Sequence, residues 1–206
     1  MEELPDPPDR FSVPPVFHSC PTGSRLWRIY FGGGAYPTRW NAFRHVGPTS
    51  SRFDHHLLPR SVQTRGILYA TSGSDAVLTA LGEVFQETKV IDRRRNEPWL
   101  AAIDLEAALQ LLDTSGSWPV RAGGNMAINS GNRGKARGWS RVIYDSYADA
   151  QGIWYPSSIT NRDCAALYER ASGALPAAPA FNERLDSPKL LASLSQLADA
   201  LKYDLV

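Results

Sequence analysis

Cysteine is nearly absent from this chain. Cys20 and Cys164 are the only two, far apart, with no CxxC or Cys/His spacing of the kind that builds a zinc site. No metal is expected. Net charge is nearly absent too, at +1. That excludes a dedicated nucleic-acid binder, which carries a strong basic excess, so no direct nucleic-acid partner is expected. Lysine is scarce: Lys89, Lys135, Lys189 and Lys202 are the only four, and the other basic residues are arginine. Arginine is the better residue for forked contacts to phosphate. No stretch approaches the ~20 apolar residues of a transmembrane helix. The first residues (MEELPDPPDRFSVPP) are acidic and proline-rich rather than basic and then apolar, which is unlike a signal peptide. The expected location is cytoplasmic, away from membranes.

What is present is an ordinary globular composition. Apolar residues make up 43% and charged residues 21% of 206, enough for one domain with its own core. Residues 1–24 read as an irregular proline-rich arm, and 25–206 as the domain. Aromatic and β-branched content predicts strands at 26–31, 66–70, 99–103 and 153–155. Residues 32–47 read as loop and 51–54 as a short extended segment. A helix is expected to start at Ser74 and Asp75 and to run on through Ala76, Val77, Ala80, Leu81, Val84 and Phe85. Residues 105–112 read as a short helix and 121–135 as a glycine- and asparagine-rich loop. Trp139, Val142, Ile143, Ser146 and Tyr147 form a helical stripe. Residues 165–168 fit helix or strand. Ser187 and Pro188 open a C-terminal helix. Short strands with interspersed helices point to the α+β class.

Several familiar chemistries fail on inspection. Gly138-Trp139-Ser140-Arg141-Val142 begins like a nucleophile elbow but lacks the closing glycine. Asn132-Arg133-Gly134-Lys135-Ala136 ends like a P-loop, yet Asn129 stands where the first glycine belongs and Ala136 cannot hold magnesium. Asp54-His55-His56 reads as a polar turn after a strand, because neighbours on a strand face opposite ways and do not chelate together.

Four features remain: Arg28 in an aromatic strand, the Ser51-Arg52-Phe53-Asp54 segment, Tyr69 followed by a helix with Glu83, and Ser140 opening a helix. At ~100° per residue, Glu83 falls at the edge of its helix's apolar stripe, beside Ala76, Ala80 and Gly82. Small neighbours there leave room for a ligand. Ser140 lies at the edge of its own stripe. Singly, none of these residues is diagnostic.

Their order is. Arg28, then Arg52-Phe53, Ile67-Leu68-Tyr69-Ala70, Glu83-Val84-Phe85, Trp139-Ser140 and Gly152-Ile153-Trp154-Tyr155-Pro156-Ser157 together resemble the RES-domain family, named for its arginine, glutamate and serine. The likeness runs from about Leu26 to Tyr168. It departs in three places: Ile29 stands where some members have tyrosine, with Tyr30 next; Phe53 replaces a common tryptophan; Thr49-Ser50-Ser51 precedes Arg52 where glycine is common.

The resemblance implies a fold similar to ADP-ribosyltransferase toxins. It also implies cleavage of NAD⁺ at the nicotinamide–ribose bond, with inorganic phosphate or water attacking. NAD⁺ is then substrate, and no cofactor is required. The implied partner is an antitoxin with a helix-turn-helix domain encoded nearby. The site carried over is Arg28, Arg52, Tyr69, Glu83 and Ser140, with Glu83, Arg52 and Ser140 as the catalytic set and Tyr30 and Phe53 as secondary members. Two other readings stay open: ADP-ribosyl transfer to a protein, and a non-catalytic module that binds a nucleotide or partner.

Overall fold

The computed structural model describes residues 3–206, so the first two residues of the expected arm lie outside it. In chain order the strands and helices are β1 (Phe17–Cys20), β2 (Arg25–Phe31), β3 (Arg44–Gly47), β4 (Ser61–Ser72), α1 (Ala76–Phe85), β5 (Val90–Ile91), β6 (Pro98–Asp104) and β7 (Leu109–Asp113). Then come α2 (Trp118–Arg121), α3 (Ala127–Ser130), α4 (Arg133–Ser146), β8 (Gly152–Pro156), β9 (Asp163–Tyr168), β10 (Phe181–Arg184), α5 (Leu191–Leu201) and β11 (Asp204–Leu205). Short 3₁₀ turns occupy Glu169–Ala174 and Pro188–Leu190.

Among the described residues nine strands form one sheet in the order β1-β7-β8-β9-β4-β2-β6-β10, with β3 on β4. Only β7 and β8 pair in parallel within it. A separate two-stranded sheet joins β5 to β11. The class is α+β, as expected.

Alternation along the central strands builds two apolar layers. Ile67, Cys164, Ala166, Tyr168, Ile153 and Tyr155 meet Trp139 and Ile143 of α4 on one face. Leu68, Ala70, Ala165, Leu167 and Trp154 enter the other. That is the two-residue period of a strand covered on both sides. A third cluster seats α1 and α5 against Ile29 and Leu100.

Several local expectations need correction. Residues 105–112 are not a helix: Leu111 and Leu112 are both buried, one in each layer, and the segment pairs with β1 and β8 as β7. Pairing between two strands outweighs the helical spacing of Leu105, Leu109 and Leu112. Residues 121–135 are not all loop, since α3 and the start of α4 lie there. Residues 51–54 form a turn, and 165–168 belong to strand β9. Part of 32–47 is strand β3. Ser74 does not cap α1. Asp75 holds the N-cap position without a capping bond and pairs instead with Arg162 at 2.8 Å. The proline-rich arm is less irregular than expected: Phe17–Cys20 adds an edge strand, and Leu4 and Phe11 are buried in the core.

Candidate functional site

β2 and β4 pair only at Leu26–Ser72 and Trp27–Thr71. Beyond that point β2 continues along β6 as far as Phe31, while β4 continues along β9. The two strands part, and a cavity of about 350 Å³ opens between and above them. Residues 27–29 of β2 and 69–71 of β4 line it, α1 supplies Ala80, Glu83 and Val84, and Arg52 and Arg133 reach it from elsewhere.

Arg28 is buried at the parting strands. Its Nη1 donates to the carbonyls of Trp40 (3.1 Å) and Ala42 (3.0 Å). Burial lowers its pKa to about 10, which leaves it charged at neutral pH. Tyr69 also lines the cavity, with its hydroxyl shut away from solvent on the side of Ser51 and Phe53. Burial pushes that phenol well above its ordinary range.

Glu83 is half-buried on α1 and lines the cavity. Ser157 Oγ donates to its Oε1 at 2.5 Å, while Oε2 has only Gln86 Nε2 at 3.5 Å. Ser157 follows the end of β8, and its oxygen also accepts the backbone N–H groups of Ile159 (3.1 Å) and Thr160 (3.2 Å). That turn aims the hydroxyl at the carboxylate. Gly82 does not make room for a ligand: a Cβ there would meet Ile159 and Leu201 at 3.3 and 3.4 Å, so it serves close helix packing.

Arg52 arrives on a folded loop. Its Nη1 donates to Gly131 O at 2.7 Å. Burial lowers its pKa and the neighbouring Arg133 cation adds to this, with Glu83 opposing. Asp54 clamps the loop. Its Oδ2 accepts from Thr49 N (2.7 Å), Thr49 Oγ1 (2.8 Å) and Arg44 Nη2 (2.9 Å). Its Oδ1 accepts from His56 N (3.1 Å) and pairs with His56 Nδ1 at 2.6 Å. Asp54, His55 and His56 are all completely buried, so the expected polar turn is an interior polar cluster. Burial alone would raise the Asp54 pKa, but its His56, Arg44 and Thr49 contacts hold it well below the ordinary range.

The other expected members lie outside the cavity wall. Ser140 is midway along α4 rather than at its start, fully buried, with its hydroxyl donated to Phe53 O at 2.8 Å. Phe53 is a core ring against Tyr155, and Tyr30 bonds Asn182 at 3.0 Å and stacks on Trp99. The structure therefore brings Arg28, Arg52, Tyr69 and Glu83 together, with Ser140 and Phe53 behind the segment that carries Arg52.

The family model for the RES domain matches residues 25–187. The chain belongs to the RES-domain family. Its fold is similar to that of a chain in the M. tuberculosis MbcT–MbcA toxin–antitoxin complex, at TM-score 0.55 and 14% identity, over 88% of this chain and 92% of that one. No curated protein matches. In this RES domain, sequence reasoning missed Ser157, Asp54 and Arg133 as parts of the site. Ser157 was visible as the end of the Gly152–Ser157 run. Asp54 was visible beside Arg52. Arg133 carried no signal, because only the packing of α4 brings it to the cavity. Among the described residues no helix is long and apolar enough to cross a membrane.

Proposed function

We propose that this RES domain consumes NAD⁺, cleaving the bond between nicotinamide and ribose, and that it acts as the toxin of a toxin–antitoxin pair. One observation carries the chemistry: the Glu83 carboxylate is held by Ser157 in a cavity it shares with Arg28, Arg52 and Tyr69, while the other acid on the wall, Glu87, is mostly exposed. Nicotinamide leaves as a neutral molecule, taking the electron pair of the broken C–N bond, so no general acid is needed. One carboxylate suffices where most glycosidases need two. Glu83 accepts a hydrogen bond from a ribose hydroxyl and stabilises the positive charge that develops at the anomeric carbon. The arginines hold phosphate oxygens, and Tyr69 walls the nicotinamide. Ser140 supports the Arg52–Phe53 segment through the Phe53 carbonyl. The fold likeness to a chain solved in a toxin–antitoxin complex supports an antitoxin partner, for which we expect a helix-turn-helix domain.

The test is NAD⁺ loss by purified protein with and without inorganic phosphate, with products resolved by mass. Phosphate-dependent loss giving ADP-ribose-1″-phosphate makes this a phosphorylase. Loss without phosphate makes it a glycohydrolase. Label from NAD⁺ appearing on a protein would replace the reading with ADP-ribosyl transfer. Intact NAD⁺ with no labelled protein would overturn it.

A further inference from the structure

Arg28, Arg52 and Arg133 line the cavity together with Glu83 and Glu87. Arg28 and Glu83 belong to the parting strands and α1. Arg52 and Arg133 come from two other parts of the chain and share the remaining wall. Like charges held that close cost energy unless an anion lies between them.

The tethers of Arg133 do not neutralise it. Its Nη2 donates to the neutral Gln86 Oε1 at 2.7 Å. Its one acidic neighbour, Glu87, is 3.5 Å away with a side chain 79% exposed, a pairing that water weakens. Arg52 spends Nη1 on a neutral carbonyl, Gly131 O. The start of α4 cannot take the anion instead, because Asn132 Oδ1 already accepts from Gly134 N and Lys135 N. Ser50 and Ser51 line the same wall and add hydroxyl donors.

We propose that Arg133 and Arg52 together seat a phosphate group, and that Arg133 makes the cavity selective for phosphate-bearing ligands. The identity of that ligand rests on the NAD⁺ reading above; the seat itself does not. A bound phosphate takes the Arg133 fork away from Gln86 and Glu87. Its source is either the diphosphate of the dinucleotide or the attacking inorganic phosphate.

Calorimetric titration of the full chain with pyrophosphate, ADP-ribose and inorganic phosphate separates these. Arg133→Gln should weaken pyrophosphate binding about tenfold, the loss of one charge-assisted fork. Loss of ADP-ribose affinity in parallel assigns the seat to the diphosphate. Loss confined to inorganic phosphate and pyrophosphate assigns it to the attacking group. Glu87→Gln removes the competing acid and should tighten pyrophosphate about twofold, a gain that misfolding cannot mimic. Equal affinities of wild type and Arg133→Gln for all three probes would overturn the seat, as would a wild type that binds none of them. A wild type that binds pyrophosphate but leaves NAD⁺ untouched would overturn the NAD⁺ reading and leave the seat standing.

Discussion

Asp54 and Glu83 are both acidic, and both stand close to Arg52. Their surroundings are opposite. Asp54 is fully buried, and each of its oxygens is met by donors from the loop, from Arg44 or from His56. Glu83 is half-buried at a cavity wall, with one close donor on one oxygen. A carboxylate with every lone pair occupied fixes a backbone. One with lone pairs to spare, facing open space, is free to bind and react. The first holds the segment that presents Arg52; the second has room for the substrate.

Substitutions should separate the two roles. The largest effect is expected from Glu83→Ala, which should cut NAD⁺ turnover on the order of a hundredfold or more, several kcal/mol of barrier, while the urea midpoint stays near wild type. Full NAD⁺ consumption by this variant would remove Glu83 from catalysis. Asp54→Ala should do the reverse in kind: it strands the buried His56 and the part-buried Arg44 and Thr49 without their acceptor and should cost about 3 kcal/mol of unfolding free energy, read by urea denaturation. A stable Asp54→Ala protein would show that the clamp is dispensable. Ser157→Ala should lower turnover about tenfold, the worth of one hydrogen bond to a charged group, and Ser157→Thr should restore most of it. An alanine variant with wild-type kcat would mean that Glu83 needs no such aim.

The smallest effect concerns pH. His55 is buried between Tyr144 and Tyr168, with ring centroids 4.4 and 4.5 Å away. Glu169 is 3.9 Å off, too far for a hydrogen bond. Burial lowers the His55 pKa. Below about pH 6.5 an unfolded histidine takes a proton that the folded one resists, so stability should begin to fall there. A second loss should follow below about pH 4, where unfolded carboxylates protonate. There Asp54 stays charged, held low despite its burial by His56, Arg44 and Thr49. Glu169, which burial alone would raise, is held at about 2 by its His55, Tyr144 and Gly66 contacts. Thermal melts between pH 8 and 3 should show both steps, and His55→Phe should remove the first. A flat melting temperature from pH 7 to 5 would contradict the burial argument.

The site was partly legible before folding. Arg28 and Tyr69 sit in strands whose aromatic and β-branched content was plain, and Glu83 sits on a helix whose stripe placed it at an edge. Ser140 lies deeper in its helix than its apolar stripe predicts, because α4 extends back to Arg133, before the first apolar residue of that stripe. The segment 51–54 was read from composition alone, which cannot show that Asp54 folds the chain back on Thr49 and Arg44. Residues 105–112 carried leucines at helical spacing, and only their two strand neighbours decided otherwise.

Order and residue type along the chain were therefore enough for the α+β class, the family resemblance and four residues of the cavity wall, Arg28, Arg52, Tyr69 and Glu83, because periodicity and short motifs are local properties that survive without a fold. What only the tertiary structure decided is which polar groups are spent and which are spare. Ser157 reaching Glu83, Ser140 turned to Phe53 O and Arg133 brought beside Arg52 are contacts between segments far apart in the chain. They exist because the sheet brings β8, α1 and the first residue of α4 to one cavity and sets Ser140 behind Phe53, and no local pattern records where two distant elements meet.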